Sequence, residues 1–277
     1  MEATGRSKVS DHYARSNLID AIRDGVDRIG KTTATVTIDD LAPVDEFHIG
    51  GRKATEGLVA QLGPSATGHL LDVGSGLGGA ARFVADRYKC RVTGIDLTPD
   101  YVEAGKVLCA WVGLDDRVSL HHASALSIPF PDEAFDAAYM LHVGMNIDDK
   151  TKLCSEVVRV LRTGSLFGVY DVMRKADGEL TYPVPWATTA ETNAVARPQV
   201  YRSALQSAGF DILSERDRTD FALAHFQLQS KMAASDKSSP LGLHTLMGER
   251  RREQVRNMIE SISAGRIAPI EMIARKG

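Results

Sequence analysis

The segment His69-Leu70-Leu71-Asp72-Val73-Gly74-Ser75-Gly76-Leu77-Gly78-Gly79 constrains this chain more than any other. An apolar run ends on a carboxylate and breaks into glycines, which let a backbone approach a ligand with no Cβ in the way. A second run, Arg91-Val92-Thr93-Gly94-Ile95-Asp96, also ends on an acid. From Leu70 onward strand and helix patterns alternate, and such alternation implies a parallel sheet clothed by helices. Strands are expected at 69–74, 91–96, 117–121, 135–141, 165–172 and near 210–216. Helices are expected at 78–88, 99–112, 148–161 and 198–208. The helix that buries Leu153, Val157 and Leu161 should open at Asp148 and stop at Gly164. The segment from Arg266 to Arg275 alternates like a strand, and Pro269 predicts a bulge or an exposed end.

Other stretches fall outside the alternation. Ser10 to Gly30 reads as a helix with Leu18, Ile22, Val26 and Ile29 on one apolar stripe. A Thr-rich stretch with Pro43 leads to Asp45-Glu46-Phe47-His48-Ile49-Gly50-Gly51, and a helix follows from about Lys53 to Leu62. Residues 176–197 contain Tyr182-Pro183-Val184-Pro185-Trp186 and read as an ordered loop, and 220–265 as mostly helical. Insertions after strand ends lie over the ligand crevice of an α/β sheet, so both are expected to wall an acceptor pocket. Trp186 is either part of that wall or a core anchor.

The two acids bear on the ligand. Gly74, Gly76 and Gly79 also fit the G-x-G-x-x-G dinucleotide fingerprint, a weak match by itself. A dinucleotide sets its pyrophosphate at the helix N-terminus beside the glycines. Asp72 would then face that pyrophosphate, and like charges repel strongly at low dielectric. S-adenosylmethionine has no phosphate and carries an ammonium, so the same carboxylate attracts it. Asp96 stands about 20 residues past the turn, where a ribose-binding acid belongs.

Composition narrows the class further. The 277 residues are 43% hydrophobic and 25% charged, ordinary for a globular protein. A net charge of -3 gives no electrostatic argument for nucleic acid. Arg250-Arg251-Arg252 sits beside Glu249 and Glu253 and reads as a solvated helix face. No apolar run approaches the ~20 residues needed to span a bilayer, so no membrane partner and a cytoplasmic location are expected. Cys90, Cys109 and Cys154 form no Cys-x-x-Cys pair and read as reduced packing residues. No His/Cys/Asp/Glu spacing suggests a metal site.

On these residues the chain resembles the class I S-adenosylmethionine-dependent methyltransferases. Leu70-Leu71-Asp72-Val73-Gly74-Ser75-Gly76-Leu77-Gly78-Gly79 resembles the family's first motif and Thr93-Gly94-Ile95-Asp96-Leu97-Thr98-Pro99 its second. Ala123 to Phe130, followed by Phe135-Asp136, resembles the third and fourth. Arg159-Val160-Leu161-Arg162-Thr163-Gly164-Ser165 resembles a stretch that usually reads R-V-L-K-P-G-G. The chain looks most like the small-molecule branch, which includes sarcosine/dimethylglycine N-methyltransferases, quinone-biosynthesis C-methyltransferases and sugar O-methyltransferases.

The resemblance implies a Rossmann-like α/β three-layer sandwich. Its seven-stranded sheet is mostly parallel, with an antiparallel last strand and helical cap elements. One methyltransferase domain over 1–277 is expected, with a helical lid at 1–66, a cofactor-binding core at 67–175 and pocket insertions at 176–197 and 220–265. Cofactor contacts are implied for Asp72, Gly74, Ser75, Gly76, Gly78, Asp96, Leu97, Ser124, Ala125 and Leu141, and for His48 and Gly50. The family usually has an acid at the position of Ser124, facing the adenine amino group, so adenine recognition is expected to be weaker here.

Methyl transfer requires an aligned acceptor, and a protonated amine or hydroxyl also requires a base. His142 follows the fourth strand in Met140-Leu141-His142-Val143-Gly144, and its reference pKa of about 6.5 suits that task. Asp171 ends the next strand, and neighbouring strands lie about 4.8 Å apart, so the two are expected to pair. Both positions resemble the His and Asp of the sugar O-methyltransferase branch. Tyr13 is a further catalytic candidate, since relatives fold an N-terminal aromatic over the cofactor. The expected reaction is methyl transfer to a small molecule, first a glycine-, sarcosine- or dimethylglycine-like amine. An oxygen or carbon acceptor on a natural product or quinone precursor stands as the alternative. Two remote readings are a nicotinamide-dependent oxidoreductase and a cofactor-binding protein without catalysis. The product cofactor would be S-adenosylhomocysteine. The oligomeric state stays open, with a homodimer as one option.

Overall fold

The computed structural model describes residues 18–234, 240–248 and 250–277. Its first helices are α1 (Leu18–Arg28), α2 (Ile38–Asp45) and α3 (Arg52–Val59). The alternation then runs β1 (His69–Val73), α4 (Gly79–Tyr88), β2 (Arg91–Asp96), α5 (Pro99–Trp111), β3 (Val118–His122) and β4 (Phe135–Leu141). It continues through α6 (Lys150–Val160), β5 (Leu161–Arg174), α7 (Pro198–Ala208) and β6 (Phe210–Asp217). The chain closes with α8 (Thr219–Ala234), α9 (His244–Met247), α10 (Arg251–Ser263) and β7 (Ile267–Lys276).

The strands form one seven-stranded sheet in the order β3-β2-β1-β4-β5-β7-β6. Pairs from β3 to β5 are parallel, and β7 runs antiparallel to both β5 and β6. Side chains alternate between the two faces of a strand. Leu71, Val73, Met140, Val169 and Met272 therefore pack on one face with Leu153, Val157, Tyr201 and Leu205 of α6 and α7. Leu70, Val92, Tyr139, Leu141, Tyr170 and Ile273 face the other way, onto Leu58 and Leu62 beside α3 and Ala81 and Val84 of α4. Truncating a fully buried residue such as Leu58 to alanine would cost roughly 2–5 kcal/mol. Among the described residues no helix is long and apolar enough to cross a membrane.

Three local expectations change. A helix occupies Ile38–Asp45, which the sequence pattern hides behind Pro43. Its start is a capping box, with the Asp40 N–H donating to Thr37 Oγ1 and the Thr37 N–H to Asp40 Oδ2. Gly164 does not end α6. The helix is capped at its start by Asp149 and hands over at Leu161 directly to β5. The β4–β5 register jumps from Phe135–Leu161 to Ala137–Leu166, so 162–165 loop out, with Gly164 at φ +79°. Pro269 lies neither at a bulge nor at an exposed end, but inside β7 and opposite Val172. The N and O of one residue point to the same strand edge, and Pro269 O accepts the Arg218 N–H just past the end of β6. The Arg218 carbonyl, which a Pro269 N–H would face, accepts the Ala222 N–H of α8 at 2.9 Å instead, so the missing donor leaves no acceptor unpaired there.

Candidate active site

Three strand ends converge. Asp72 lies in β1, Asp96 ends β2 and His142 follows β4. The glycine turn after β1 is fastened to β2, since Gly74 and Ser75 both donate to Ile95 O at 2.8 and 2.9 Å. Gly74 has φ +77° and lies against Val143, so a side chain there would collide with the loop after β4. Gly78, also at φ +77°, forms the N-cap of α4. Asp96 accepts the Gly76 N–H through Oδ2 and the Thr98 N–H through Oδ1, both at 2.8 Å. The Thr98 side chain also hydrogen-bonds to this carboxylate, which leaves about one of its roughly four lone-pair sites for a ligand. Asp72 is 2% exposed and accepts the Tyr139 hydroxyl at 3.1 Å. Burial pushes its carboxyl up to about 8, against the pull of Tyr139 and with a further push from Asp96 and Glu46. Ser75 Oγ is buried and has no partner among the described residues.

His142 occupies a left-handed backbone conformation, φ +56°, unusual for a residue with a Cβ. Its N–H donates to Tyr170 O at 2.8 Å, and its ring lies 4.9 Å from the Tyr170 ring and 6.1 Å from that of His48. Burial holds the imidazole well below its usual range, and His48 pushes the same way. Nε2 is buried with no partner among the described residues. A strained backbone thus carries a neutral imidazole whose Nε2 is unsatisfied among the described residues, a combination that clusters at functional sites.

The expected His142–Asp171 pair does not form. Tyr170 and Asp171 are consecutive in β5 and so point to opposite faces, and the His142 ring stands on the Tyr170 side. Asp171 is fully buried on the α7 side, where Tyr201 donates to it at 2.5 Å and the Val172 N–H at 2.9 Å. The Met145 backbone also hydrogen-bonds to it, and burial still pushes its carboxyl up to about 6. Nearby, Lys150 Nζ donates to Ile147 O and, at 2.9 Å, to Ala194 O, over the Tyr201 ring. These groups hold the 143–147 loop from beneath. A Cβ on Gly144 would strike Asp171 Oδ2 and the Tyr201 hydroxyl.

His48 and Gly50 belong to a buried network between α2 and α3. His48 Nε2 lies 3.0 Å from Thr55 Oγ1 and 3.1 Å from Gly51 O. Thr55 donates to Glu46 at 2.7 Å, and Glu46 also holds Arg52. Gly50, φ +93°, lies under the Phe221 ring at the start of α8. Leu97 is half-buried beside Asp96, and Leu141 is buried at the end of β4. Ser124 Oγ accepts the Leu126 N–H at 3.2 Å, and Ala125 packs into the core. Trp186 is a core anchor: it is 2% exposed, donates to Asn193 at 2.8 Å and packs near Ile49 and Met145. Tyr13 lies outside the described residues.

Sequence reasoning missed Tyr139, Tyr170 and Glu271. Tyr139 and Tyr170 give no signal until the register is known. Glu271 gives one, since it is the lone carboxylate in the apolar run Ile267 to Ala274.

Residues 71–169 match the family model described as a methyltransferase domain. The sarcosine/dimethylglycine N-methyltransferase of Halorhodospira halochloris is 27% identical over 188 residues, covering 68% of this chain and 67% of that protein. The sterol 24-C-methyltransferase of Eremothecium gossypii is 28% identical over 228 residues, covering 72% of this chain and 61% of that protein. The chain thus spans about two thirds of the length of the first relative and less of the second. The fold matches geranyl diphosphate C-methyltransferase from Streptomyces coelicolor A3(2), in complex with Mg2+, geranyl-S-thiolodiphosphate and S-adenosyl-L-homocysteine. That match has a TM-score of 0.72 at 19% identity and covers 99% of this chain and 98% of that one. Residues 71–169 are thus a methyltransferase domain, and the chain is similar to S-adenosylmethionine-dependent methyltransferases. The two relatives named above are an N-methyltransferase and a C-methyltransferase.

Proposed function

We propose that the chain methylates the nitrogen of a small amine of the glycine, sarcosine or dimethylglycine type, with His142 as the base. The observation that carries this is the buried His142 Nε2, neutral and unpartnered among the described residues, beside the glycine turn. A small amine is mostly an ammonium at neutral pH and must lose a proton before it can attack. A neutral imidazole takes that proton, while one already protonated cannot. The likeness to the sarcosine/dimethylglycine enzyme, over 68% of this chain, favours the amine among the possible acceptors.

The residues present fit S-adenosylmethionine. The buried Asp72 carboxylate offers a counter-charge for the ammonium of its methionine end. Ser75 brings an orphaned hydroxyl, and no side-chain or backbone atom lies within 4 Å of the Cβ position of Gly76. Asp96 keeps a lone-pair site for a ribose hydroxyl, with Leu97 beside it. Ser124 and Ala125 are the residues assigned to the adenine, and Gly74 and Gly78 let the turn pack closely against Val143 and Leu120. Leu141, His48 and Gly50 would bound the methionine end. When bound, the cofactor supplies an electrophilic methyl group. The chain's own residues orient the acceptor, exclude water and hold its proton at His142 Nε2.

Label transfer tests the reading. The protein is incubated with methyl-labelled S-adenosylmethionine and a panel of sarcosine, dimethylglycine, a phenol and an isoprenoid alkene. Label should reach nitrogen, and His142→Ala should bind S-adenosylhomocysteine normally yet turn over slowly. Label on the phenol or alkene alone, or full turnover by His142→Ala, would overturn it.

A further inference from the structure

A polar row crosses the sheet beyond His142. Tyr170 of β5 pairs with Glu271 of β7, and Glu271 with Arg216 of β6, so their side chains are direct cross-strand neighbours on one face. Glu271 is 2% exposed and holds three donors. It accepts Arg216 Nε at 2.9 Å, Arg218 at 2.9 Å and Gln61 at 3.0 Å. Two arginines against one glutamate leave the row one positive charge in excess. The Arg218 guanidinium also lies 4.5 Å above the Phe221 ring, which covers Gly50.

Tyr170 is the exception in this row. Its residue is 1% exposed, and its hydroxyl has no partner among the described residues. Glu271, directly opposite, accepts three other donors and not the Tyr170 hydroxyl. Burial holds the phenol above its usual range, so the O–H stays a donor at every physiological pH. A buried hydroxyl without a partner costs free energy, and a ligand oxygen is one way to recover it. The ring already lies against His142, so the hydroxyl and the imidazole address one locality.

We propose that Tyr170 is the specificity-determining residue for the acceptor, its hydroxyl donating a hydrogen bond to an anionic oxygen that the acceptor carries beside its nucleophilic nitrogen. The acceptor class is then a zwitterionic amine bearing a carboxylate. The inference rests on the amine reading above and deepens it. The positive excess of Arg216 and Arg218 favours the carboxylate electrostatically, and Tyr170 fixes its orientation against His142.

The test compares sarcosine with N-methylethylamine, a secondary amine that lacks the oxygen. Binding to protein loaded with S-adenosylhomocysteine is measured by calorimetry, and turnover by label transfer. Tyr170→Phe removes one atom. It should weaken sarcosine binding and kcat/KM by about 10-fold or more and leave both unchanged for N-methylethylamine. Its Tm should hold or rise, because an orphaned buried hydroxyl has gone. Equal sarcosine parameters in Tyr170→Phe and wild type, equal losses on both amines, or no sarcosine binding by wild type would each overturn the proposal. Impaired His142→Ala beside unimpaired Tyr170→Phe overturns this inference alone. Full turnover by His142→Ala overturns the base and leaves the Tyr170 comparison standing.

Discussion

The two faces of β5 differ by one residue and by one principle. On one face Asp171 meets Tyr201, Val172 and Met145, and Lys150 caps two carbonyls nearby. On the other face Tyr170 and His142 are also buried, yet each holds a polar atom without a partner among the described residues. A satisfied polar cluster fixes a structure. An unsatisfied one stores affinity for something that arrives later. The loop from His142 to Ile147 joins the two, held from beneath by the first and presenting the second.

The largest effect should come from the unsatisfied face. His142→Ala is expected to lower kcat by about 10²–10⁴ with little change in denaturant midpoint. Equal losses of stability and activity would erase the distinction. On the satisfied face Asp171→Ala should cost about 3 kcal/mol in urea unfolding, since several donors lose a buried carboxylate at once. If Asp171 acts only by position, Asp171→Asn leaves the pH midpoint of turnover in place, whereas a direct partner of His142 would shift it. Its carboxyl is raised when folded, so its stability contribution is complete below pH ~4 and is lost as pH rises through about 6. Asp171→Asn should flatten that segment of the stability curve.

Asp72 gives the next effect. Its carboxyl sits near 8, so capturing an ammonium beside it releases a proton below that pH. S-adenosylhomocysteine affinity should climb by up to about 10-fold per pH unit from 6 to 8, and Asp72→Asn should remove the slope. The smallest change is Gly144→Ala. Its new methyl would press on Asp171 and Tyr201 and should cost about 1–3 kcal/mol, read as a lower Tm.

Much of this was legible beforehand. Alternation located all seven strands, and the acid-ended glycine turn placed Asp72 and Asp96 together. The partner of His142 was not legible. Choosing Tyr170 over Asp171 depends on the phase of β5 relative to β4, and the loop-out at 162–165 sits between their first and second paired residues. Residue count alone cannot supply that phase. The α2 helix was hidden because Pro43 is read as a breaker, although Thr37 and Asp40 cap its start. The role of Glu271 required knowing that β7 lies between β5 and β6, which places Tyr170 and Arg216 on either side of it.

The placement of β7 has a temporal corollary. Among the described residues β6 pairs with no strand but β7, so the edge of the sheet that launches α8 cannot dock until residues 267–276 are in place. The nucleotide half, from β3 to β5, pairs without them. The strands that carry Asp72 and Asp96 and lead into His142 can therefore pair before the row of Tyr170, Glu271 and Arg216 exists. Long-range pairings of this kind are the slow part of folding.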